Sequence, residues 1–188
     1  MLSGTHAPKV SFEQVERELR GRNFGILSTV SRKGRAQSAG VLYGVSPPNA
    51  PFAIYVMTQS KTVKAQNITA NPNVSFIVPL SRRVLSFVPP ACIQCQGTAR
   101  ILEATDQVAI QAFKAFYLSR MMLNEASRVD TAALGEVCFV RIEPDPVINT
   151  YGLGFSVWQL REHMANAASK VHVPRERRRS KVRRIIDT

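Results

Sequence analysis

The spacing of apolar residues along the chain predicts a fold made mainly of β-strands with a few short helices. Strand-like patterning occurs at residues 24–30, 35–45, 52–58, 74–78, 84–88, 92–102 and 136–142. Helical spacing begins after the capping residues Ser11 and Thr105, and also near Thr62. Pro144 and Pro146 should end the last strand, because proline cannot donate a ladder hydrogen bond. This pattern is typical of a β-barrel whose openings are covered by helices.

The segment between the third and fourth predicted strands gathers hydroxyl and ammonium groups at a helix start. It contains Thr58, Ser60 and Thr62 together with Lys61 and Lys64. A helix N-terminus carries unpaired N–H groups and a partial positive charge, so it can bind a phosphate. The alternative is that Ser60 or Thr62 only caps the helix and that the lysines are solvated.

Four pieces of the chain, within residues 11–152, show the same order of motifs as a known family. They are Phe24-Gly-Ile-Leu-Ser-Thr-Val30 with its glycine turn, the strands at 35–45 and 52–58, Thr62-Val-Lys64 with Gln66-Asn-Ile68 and Asn71-Pro-Asn-Val-Ser75, and Gln96-Gly-Thr-Ala99. In this order they resemble the flavin-binding split β-barrel superfamily, the group of the pyridoxamine 5′-phosphate oxidases. The resemblance implies a split β-barrel of the FMN-binding type, mainly β with flanking helices.

The resemblance also implies an activity and an assembly. We expect a flavin-dependent oxidoreductase that transfers hydride or electrons between a flavin and a small organic substrate. The flavin would be FMN, with a deazaflavin or FAD as alternatives, and it would lie at the interface of a homodimer. Because a flavin carries this chemistry itself, the protein has to supply binding, orientation and electrostatics. The alternative is a non-catalytic protein of the same fold that binds a flavin or haem, for which His163 would be a candidate ligand.

The resemblance assigns cofactor contacts to individual residues and leaves the catalytic residues unassigned. The implied cofactor-binding residues are Thr58, Ser60, Thr62, Lys64, Val41 and Leu42. Lys64 would supply charge for the phosphate, and main-chain groups of the second strand would line the ring. Ala39 stands where the oxidases place an arginine that reaches the flavin phosphate, and the nearest basic residue is Arg35. The phosphate would therefore rest on Lys64, the hydroxyl groups and main-chain N–H groups.

The net charge of +12 is concentrated at the C-terminus. Residues 170–188 hold eight basic residues and two acids. Such a block is typical of a disordered, solvated tail that could contact nucleic acid weakly and without sequence preference. We therefore divide the chain into an N-terminal extension (1–10), the barrel domain (11–152), a C-terminal helix (153–169) and a basic tail (170–188). A competing hypothesis makes this tail the functional part, with the barrel as a platform for dimerisation.

The cysteines and the lengths of the apolar runs argue against a metal-binding protein, a membrane-spanning protein and a secreted protein. Cys92 and Cys95 form a C-x-x-C pair that opens a strand, where such residues point to opposite faces, so we predict a structural role and no metal site. No apolar run approaches the length of a membrane span. The N-terminal residues lack the apolar core of a secretion signal, so we expect a cytoplasmic location.

Overall fold

The computed structural model describes residues 10–80, 91–114, 131–155 and 167–178. Within these ranges the helices are α1 (Phe12–Arg20), α2 (Val63–Ala70), α3 (Gln107–Lys114), α4 (Thr131–Leu134) and α5 (Arg175–Arg178). The strands are β1 (Phe24–Val30), β2 (Ala36–Val45), β3 (Ile54–Gln59), β4 (Asn73–Leu80), β5 (Ala91–Glu103), β6 (Val137–Tyr151) and β7 (Ala168–His172). The strand predicted at 84–88 lies outside the described residues, as do residues 156–166 of the C-terminal helix predicted at 153–169. The last two residues of that predicted helix, 168 and 169, belong instead to β7. No helix in the described ranges is long and apolar enough to cross a membrane.

Six antiparallel strands close into a barrel. The sheet runs in the order β3-β2-β1-β4-β5-β6-β7, and a further pairing between β3 and β6 joins its ends. β7 lies outside this circle because it pairs with the second half of β6. The interior is filled by alternating apolar residues of each strand, which form one continuous core. The prediction of a mainly β barrel with flanking helices is confirmed.

The helix α1 packs on the barrel through the apolar face that the sequence predicts. Its buried residues are Phe12, Val15 and Leu19. Ser11 caps the helix by accepting a hydrogen bond from the Gln14 N–H at 3.2 Å. The buried hydroxyl of Tyr43 in β2 donates to the carbonyl of Leu19 at 2.8 Å. These contacts fix α1 against β2.

The helix α3 covers the outer side of β3 and β6 and forms a second, smaller core. Ala109, Ala112 and Phe113 pack there against Tyr55 and Phe139. The predicted cap of this helix was wrong by one position, because Asp106 and not Thr105 accepts the hydrogen bond from the Ala109 N–H, at 2.8 Å. A carboxylate at that position also interacts favourably with the helix dipole.

The prediction that Pro144 and Pro146 end the last strand was wrong. β6 continues through both prolines to Tyr151. The register between β5 and β6 shifts between Cys95 and Gly97, so the prolines lie at an irregular part of the ladder. An irregularity of this kind leaves residues without a ladder partner, and a missing N–H therefore costs little there.

The prediction that the basic tail is disordered was wrong for residues 170–178, which include most of β7 and all of α5, while residues 179–188 lie outside the described ranges. Within β7, the side chain of Val171 is buried between exposed neighbours, so this strand has the alternation of a half-buried sheet despite its charge. After β7, the carbonyl of Arg177 accepts a hydrogen bond from the Phe52 N–H at 2.6 Å. The Arg177 guanidinium pairs with Glu16 of α1 at 2.7 Å. This segment therefore joins α1 to the barrel.

We expect Gly97→Ala to destabilise the barrel. A Cβ at this position would overlap the main chain of Glu143 in the neighbouring strand, so β5 and β6 would have to separate. Overpacking of this kind costs about 1–3 kcal/mol. Gly40→Ala is the matched control, because a Cβ there would meet only the ring of the half-exposed Phe24, at 3.0 Å. Chemical denaturation of both variants measures the difference, and equal stabilities would contradict the close approach of β5 and β6.

Candidate functional site

The barrel is open along one side of β2. β2 pairs with β3 only over Tyr43–Val45, opposite Ile54–Val56. The last residues of β3 pair with β6 alone, and Ala36–Leu42 of β2 pair with β1 alone among the described strands. The helix α2 follows β3 directly and lies beside this opening. We call the opening between Ala36–Leu42 and α2 the split.

Over Ala36–Gly40, the edge of β2 along the split carries main-chain groups that no described strand pairs with. The Tyr43 N–H donates to the Asn23 carbonyl at 2.8 Å, so odd-numbered residues of β2 direct their main-chain groups toward β1. By the same alternation, the N–H and carbonyl groups of Ser38, Gly40 and Leu42 face away from β1. This edge offers donors and acceptors to a ligand, as edge strands do in general.

Val41 and Leu42, the two residues of β2 predicted to bind the cofactor, face different sides of the strand. Val41 lies in the barrel core, 7% exposed, and its main-chain groups face β1. It therefore offers neither its side chain nor its main chain to the split. Leu42 is half-buried on the outer face, and its N–H faces the split, while its carbonyl lies where the pairing of β2 with β3 begins. Gly40 shares this orientation, so Gly40 and Leu42 are the better candidates.

A buried amide connects the two sides of the split. Asn67 of α2 is only 6% exposed, and its Nδ2 donates to Thr29 Oγ1 at 3.0 Å and to Gln37 Oε1 at 2.7 Å. These bonds fix the distance of α2 from β1 and β2. Sequence reasoning did not single out Asn67 as a site residue. The available signal was a polar residue in the helix beside Ile68, on the face that would be buried.

The hydroxyl groups before α2 bond mainly to one another and to the turn. Thr62 Oγ1 donates to the Gln59 carbonyl at 2.8 Å, and Thr58 Oγ1 lies 3.1 Å from Thr62 Oγ1. Since the Thr62 proton goes to Gln59, Thr58 is the donor in the second bond. Thr62 is the N-cap residue of α2, but its side chain caps no helix N–H. The first-turn N–H groups are therefore available to a ligand.

The turn before α2 is held by the segment between α4 and β6. The Ser60 N–H donates to the Glu136 carbonyl at 2.9 Å, and the Lys61 N–H donates to the Leu134 carbonyl at 3.0 Å. Gly135 has a φ of +78°, and a Cβ there would collide with Ser60 and Lys61. Only glycine permits both this conformation and this close approach. The start of α2 is therefore fixed by main-chain contacts.

Lys64 is half-buried in the first turn of α2 and close to Cys138 at the start of β6. Burial raises the pKa of the Cys138 thiol, and the positive charge of Lys64 partly offsets this rise. Lys64 forms no ion pair with any residue in the described ranges. Its charge is therefore available to an anion.

A cavity of about 550 Å³ lies between the β1–β2 hairpin and α2. It is lined by Ser31, Arg32, Lys33, Arg35, Gln37, Ser60, Val63, Gln66, Asn67 and Thr69. Ser60 is the single predicted site residue in this lining. The predicted cluster of hydroxyls and lysines therefore divides, with Ser60 at the cavity, Thr58 bonded to Thr62, and Lys64 near Cys138.

The outer face of the barrel beside the split is partly apolar. Phe24 is 50% exposed and lies opposite Leu42 across the β1–β2 ladder. Ile26 follows on the same face and lies opposite Ile77 of β4. We call Phe24, Ile26, Leu42 and Ile77 the outer patch. A contiguous apolar patch of this type is typical of a surface that meets a partner.

The C-x-x-C pair has a structural environment. Cys95 is buried in the barrel core, where burial raises the pKa of its thiol to about 12, and its thiol contacts the Phe76 carbonyl at 3.8 Å. Cys92 lies three residues earlier, on the opposite face of β5, and burial also raises the pKa of its thiol. Both thiols are therefore protonated near neutral pH. In the described ranges, no group of three or more potential ligands could hold a metal ion.

Comparison with solved structures identifies similar folds in proteins of different roles. A haem-binding protein from Mycobacterium smegmatis aligns with a TM-score of 0.59 and 13% identity, covering 85% of this chain and 57% of that protein. An FAD-binding protein from Mesorhizobium loti aligns with a TM-score of 0.54 and 16% identity over 75% and 94% of the two chains. The conserved hypothetical protein Rv2991 from Mycobacterium tuberculosis gives a TM-score of 0.54 and 17% identity over 75% and 84%. At such identities the likeness shows the fold alone.

Sequence comparison gives a more specific result. A search of curated proteins finds no significant match. A family model described as pyridoxamine 5′-phosphate oxidase matches residues 11–150, which include the whole of the closed barrel except the last residue of β6. Since this match extends over most of the chain and the barrel has the corresponding split, the protein belongs to the pyridoxamine 5′-phosphate oxidase family.

Proposed function

We propose that the protein binds a flavin in the split and uses it to transfer hydride or electrons to or from a small organic substrate. The observation that carries this proposal is the juxtaposition of an unpaired strand edge with an uncapped helix N-terminus across the split. A flavin needs both kinds of contact, because its ring has polar edge atoms and its side chain carries a phosphate. FMN is the simplest flavin with these features, and FAD or a deazaflavin shares them.

The residues at the split fit the phosphate of such a cofactor. The first-turn N–H groups of α2 have no side-chain cap, and the dipole of the helix favours negative charge at this end. Lys64 is half-buried and carries a charge that no described carboxylate neutralises. Ala39 stands where the oxidases have an arginine, and these groups supply the positive charge and N–H donors that the arginine would give to the phosphate.

The edge of β2 fits the ring of the cofactor. The position where a Cβ of Gly40 would lie is covered by the ring of Phe24 on the outer face, so a ligand in the split meets only main-chain groups at Gly40. The N–H and carbonyl groups of Gly40 and the N–H group of Leu42 would bond to the polar edge of the ring and set its orientation. When bound, the flavin itself supplies the hydride or electron chemistry. The role of the chain is then to bind, to orient and to shield one side of the ring from water.

Haem binding without catalysis is the alternative, since a haem-binding protein shares the fold. The candidate ligand His163 lies outside the described residues. Within them, His172 is the sole histidine, and it lies exposed on β7, opposite Val147. The split itself therefore offers a flavin more contacts than it offers a haem.

We also propose that two copies of the protein associate through the outer patch. Leu42 belongs to both the patch and the edge of the split, so a second copy seated there would cover a cofactor bound at this edge. Burial of apolar surface stabilises association by about 25 cal/mol per Å² before the costs of ordering are subtracted.

We expect Lys64→Ala to lower the affinity for FMN about ten- to hundredfold, because a charge-assisted contact contributes roughly 1.5–3 kcal/mol. Titration of the purified protein followed by flavin fluorescence measures this change. Lys170→Ala, an exposed lysine on β7, is the matched control and should leave the affinity unchanged. Unchanged affinity in the Lys64 variant would remove this residue from the site, and a parent protein that binds no flavin would overturn the proposed function.

We expect the bound flavin to exchange electrons with a substrate faster than free flavin does. The flavin-loaded protein is reduced anaerobically with dithionite, and its reoxidation by a panel of small organic acceptors is followed by absorbance. Reoxidation no faster than that of free FMN for every acceptor would favour the non-catalytic alternative. The same spectra separate a flavin from haem, whose absorption bands differ.

We expect Phe24→Asp to shift the protein from dimer to monomer, because a charge would be desolvated in the centre of an apolar contact. Light scattering at micromolar concentration measures the mass of each variant. Leu134→Asp introduces the same charge at another exposed apolar residue, 40% exposed, and should leave the dimer intact. A monomeric parent protein would contradict the proposed association.

A further inference from the structure

The β1–β2 hairpin presents three cations on a well-ordered turn. The Ser31 N–H donates to the Arg35 carbonyl at 2.9 Å, and the Gly34 N–H donates to the Ser31 carbonyl at 2.8 Å. Ser31 Oγ also accepts from the Arg35 N–H at 3.1 Å. Gly34 has a φ of +74°, which completes the turn without strain. These bonds hold Arg32, Lys33 and Arg35 at one wall of the 550 Å³ cavity.

The three cations of the hairpin lack the carboxylate partners that several other arginines of the described chain have. Within the described ranges, the ion-paired arginines are Arg20, Arg22, Arg100, Arg141 and Arg177. Arg32, Lys33 and Arg35 form no ion pair there, and none of the described residues that line the cavity is acidic. Three like charges within four residues repel one another, so an anion in the cavity would relieve an unfavourable interaction.

The position of Arg35 relates it to the phosphate site. Side chains alternate along β2, so Gln37 and Ala39 project on the same side, and Arg35, which directly precedes β2 and bonds to Ser31 in the same register, continues this alternation. Ala39 stands where the related oxidases have the arginine that binds the flavin phosphate. Arg35 precedes Ala39 by four residues and so lies closer to the turn. Gln37 lies between them and bonds to Asn67 of α2. Arg35 therefore brings a guanidinium to the same side of the strand, displaced toward the hairpin.

The opposite wall of the cavity consists of neutral polar groups from α2 and the turn before it. Ser60, Gln66, Asn67 and Thr69 supply hydroxyl and amide groups. The cavity is also next to the uncapped start of α2, whose dipole is positive at this end. A volume of about 550 Å³ exceeds what a phosphate group needs and is typical of ligand sites.

We propose that this cavity is an anion site that binds a phosphate group of a ligand through Arg32, Lys33 and Arg35. The guanidinium groups match phosphate geometry, because each presents two parallel N–H donors. The phosphate would belong either to the cofactor or to a phosphorylated substrate. Assigning it to the cofactor rests on the function proposed above, whereas the preference of the cavity for phosphate does not.

Inorganic pyrophosphate is the probe, titrated calorimetrically into the full-length protein at low salt. We expect Arg35→Gln and Arg32→Gln each to lower the affinity for pyrophosphate about tenfold or more. Arg17→Gln, an exposed arginine on α1, removes the same charge away from the cavity and should change the affinity less than twofold. Because Arg32 and Arg35 are exposed, both variants should fold, which an unchanged melting temperature verifies.

A second titration, with the protein saturated by FMN, identifies the source of the phosphate. Competition between pyrophosphate and FMN would support the cofactor's phosphate as the occupant, and simultaneous binding would support a phosphorylated substrate. If the protein bound pyrophosphate through Arg35 but bound no flavin, the anion site would stand and the proposed function would fail. Absence of pyrophosphate binding, or an equal loss in the Arg17 variant, would overturn the anion site.

Discussion

The architecture depends on β3, a six-residue strand that closes the barrel by pairing with two neighbours. Ile54–Val56 pair with both β2 and β6, whereas the last three residues pair with β6 alone. Ala36–Leu42 of β2 are consequently left with β1 as their single described neighbour. The chain then turns from β3 directly into α2, which lies beside the unpaired edge. The split, its free main-chain groups and the position of α2 all follow from this short shared ladder.

Once the split exists, a few polar contacts determine its width and its charge. Asn67 connects α2 to Thr29 and Gln37, and main-chain bonds from the β6 side hold the start of the helix. The acidic partners Glu16, Glu18 and Glu143 neutralise arginines on other parts of the barrel. In a chain of net charge +12, the uncompensated charge of the hairpin and of Lys64 therefore lies on the two sides of α2. Such a field favours an anionic ligand over a cationic one.

Two errors of interpretation have the same physical origin. Prolines in β6 and a high charge in β7 are both unfavourable signals for a strand, yet both segments pair in the sheet. In β6 the register shifts next to Gly97, which leaves residues without a ladder partner. The N–H groups that Pro144 and Pro146 lack are therefore not needed there. In β7 the exposed Lys170 and His172 alternate with the buried Val171, so the charge never enters the core. In each case, pairing with the neighbouring strand outweighed the low β-propensity of these residues.

The sequence by itself determined the family and the order of the elements from α1 to the first half of β6, because apolar spacing, caps and the Thr62–Ser75 motifs are local properties. It also located α2 and the glycine turn of the β1–β2 hairpin. It could not show that Val41 faces the core or that Ser60 and Lys64 lie apart, since these depend on strand register and on the rotation of α2. The cavity between the hairpin and α2 was equally inaccessible, because its walls come from segments about 30 residues apart. Only the tertiary structure brings Arg35 and Asn67 to one site, because the pairing of β1 with β2 and the closure by β3 fix the distance between them.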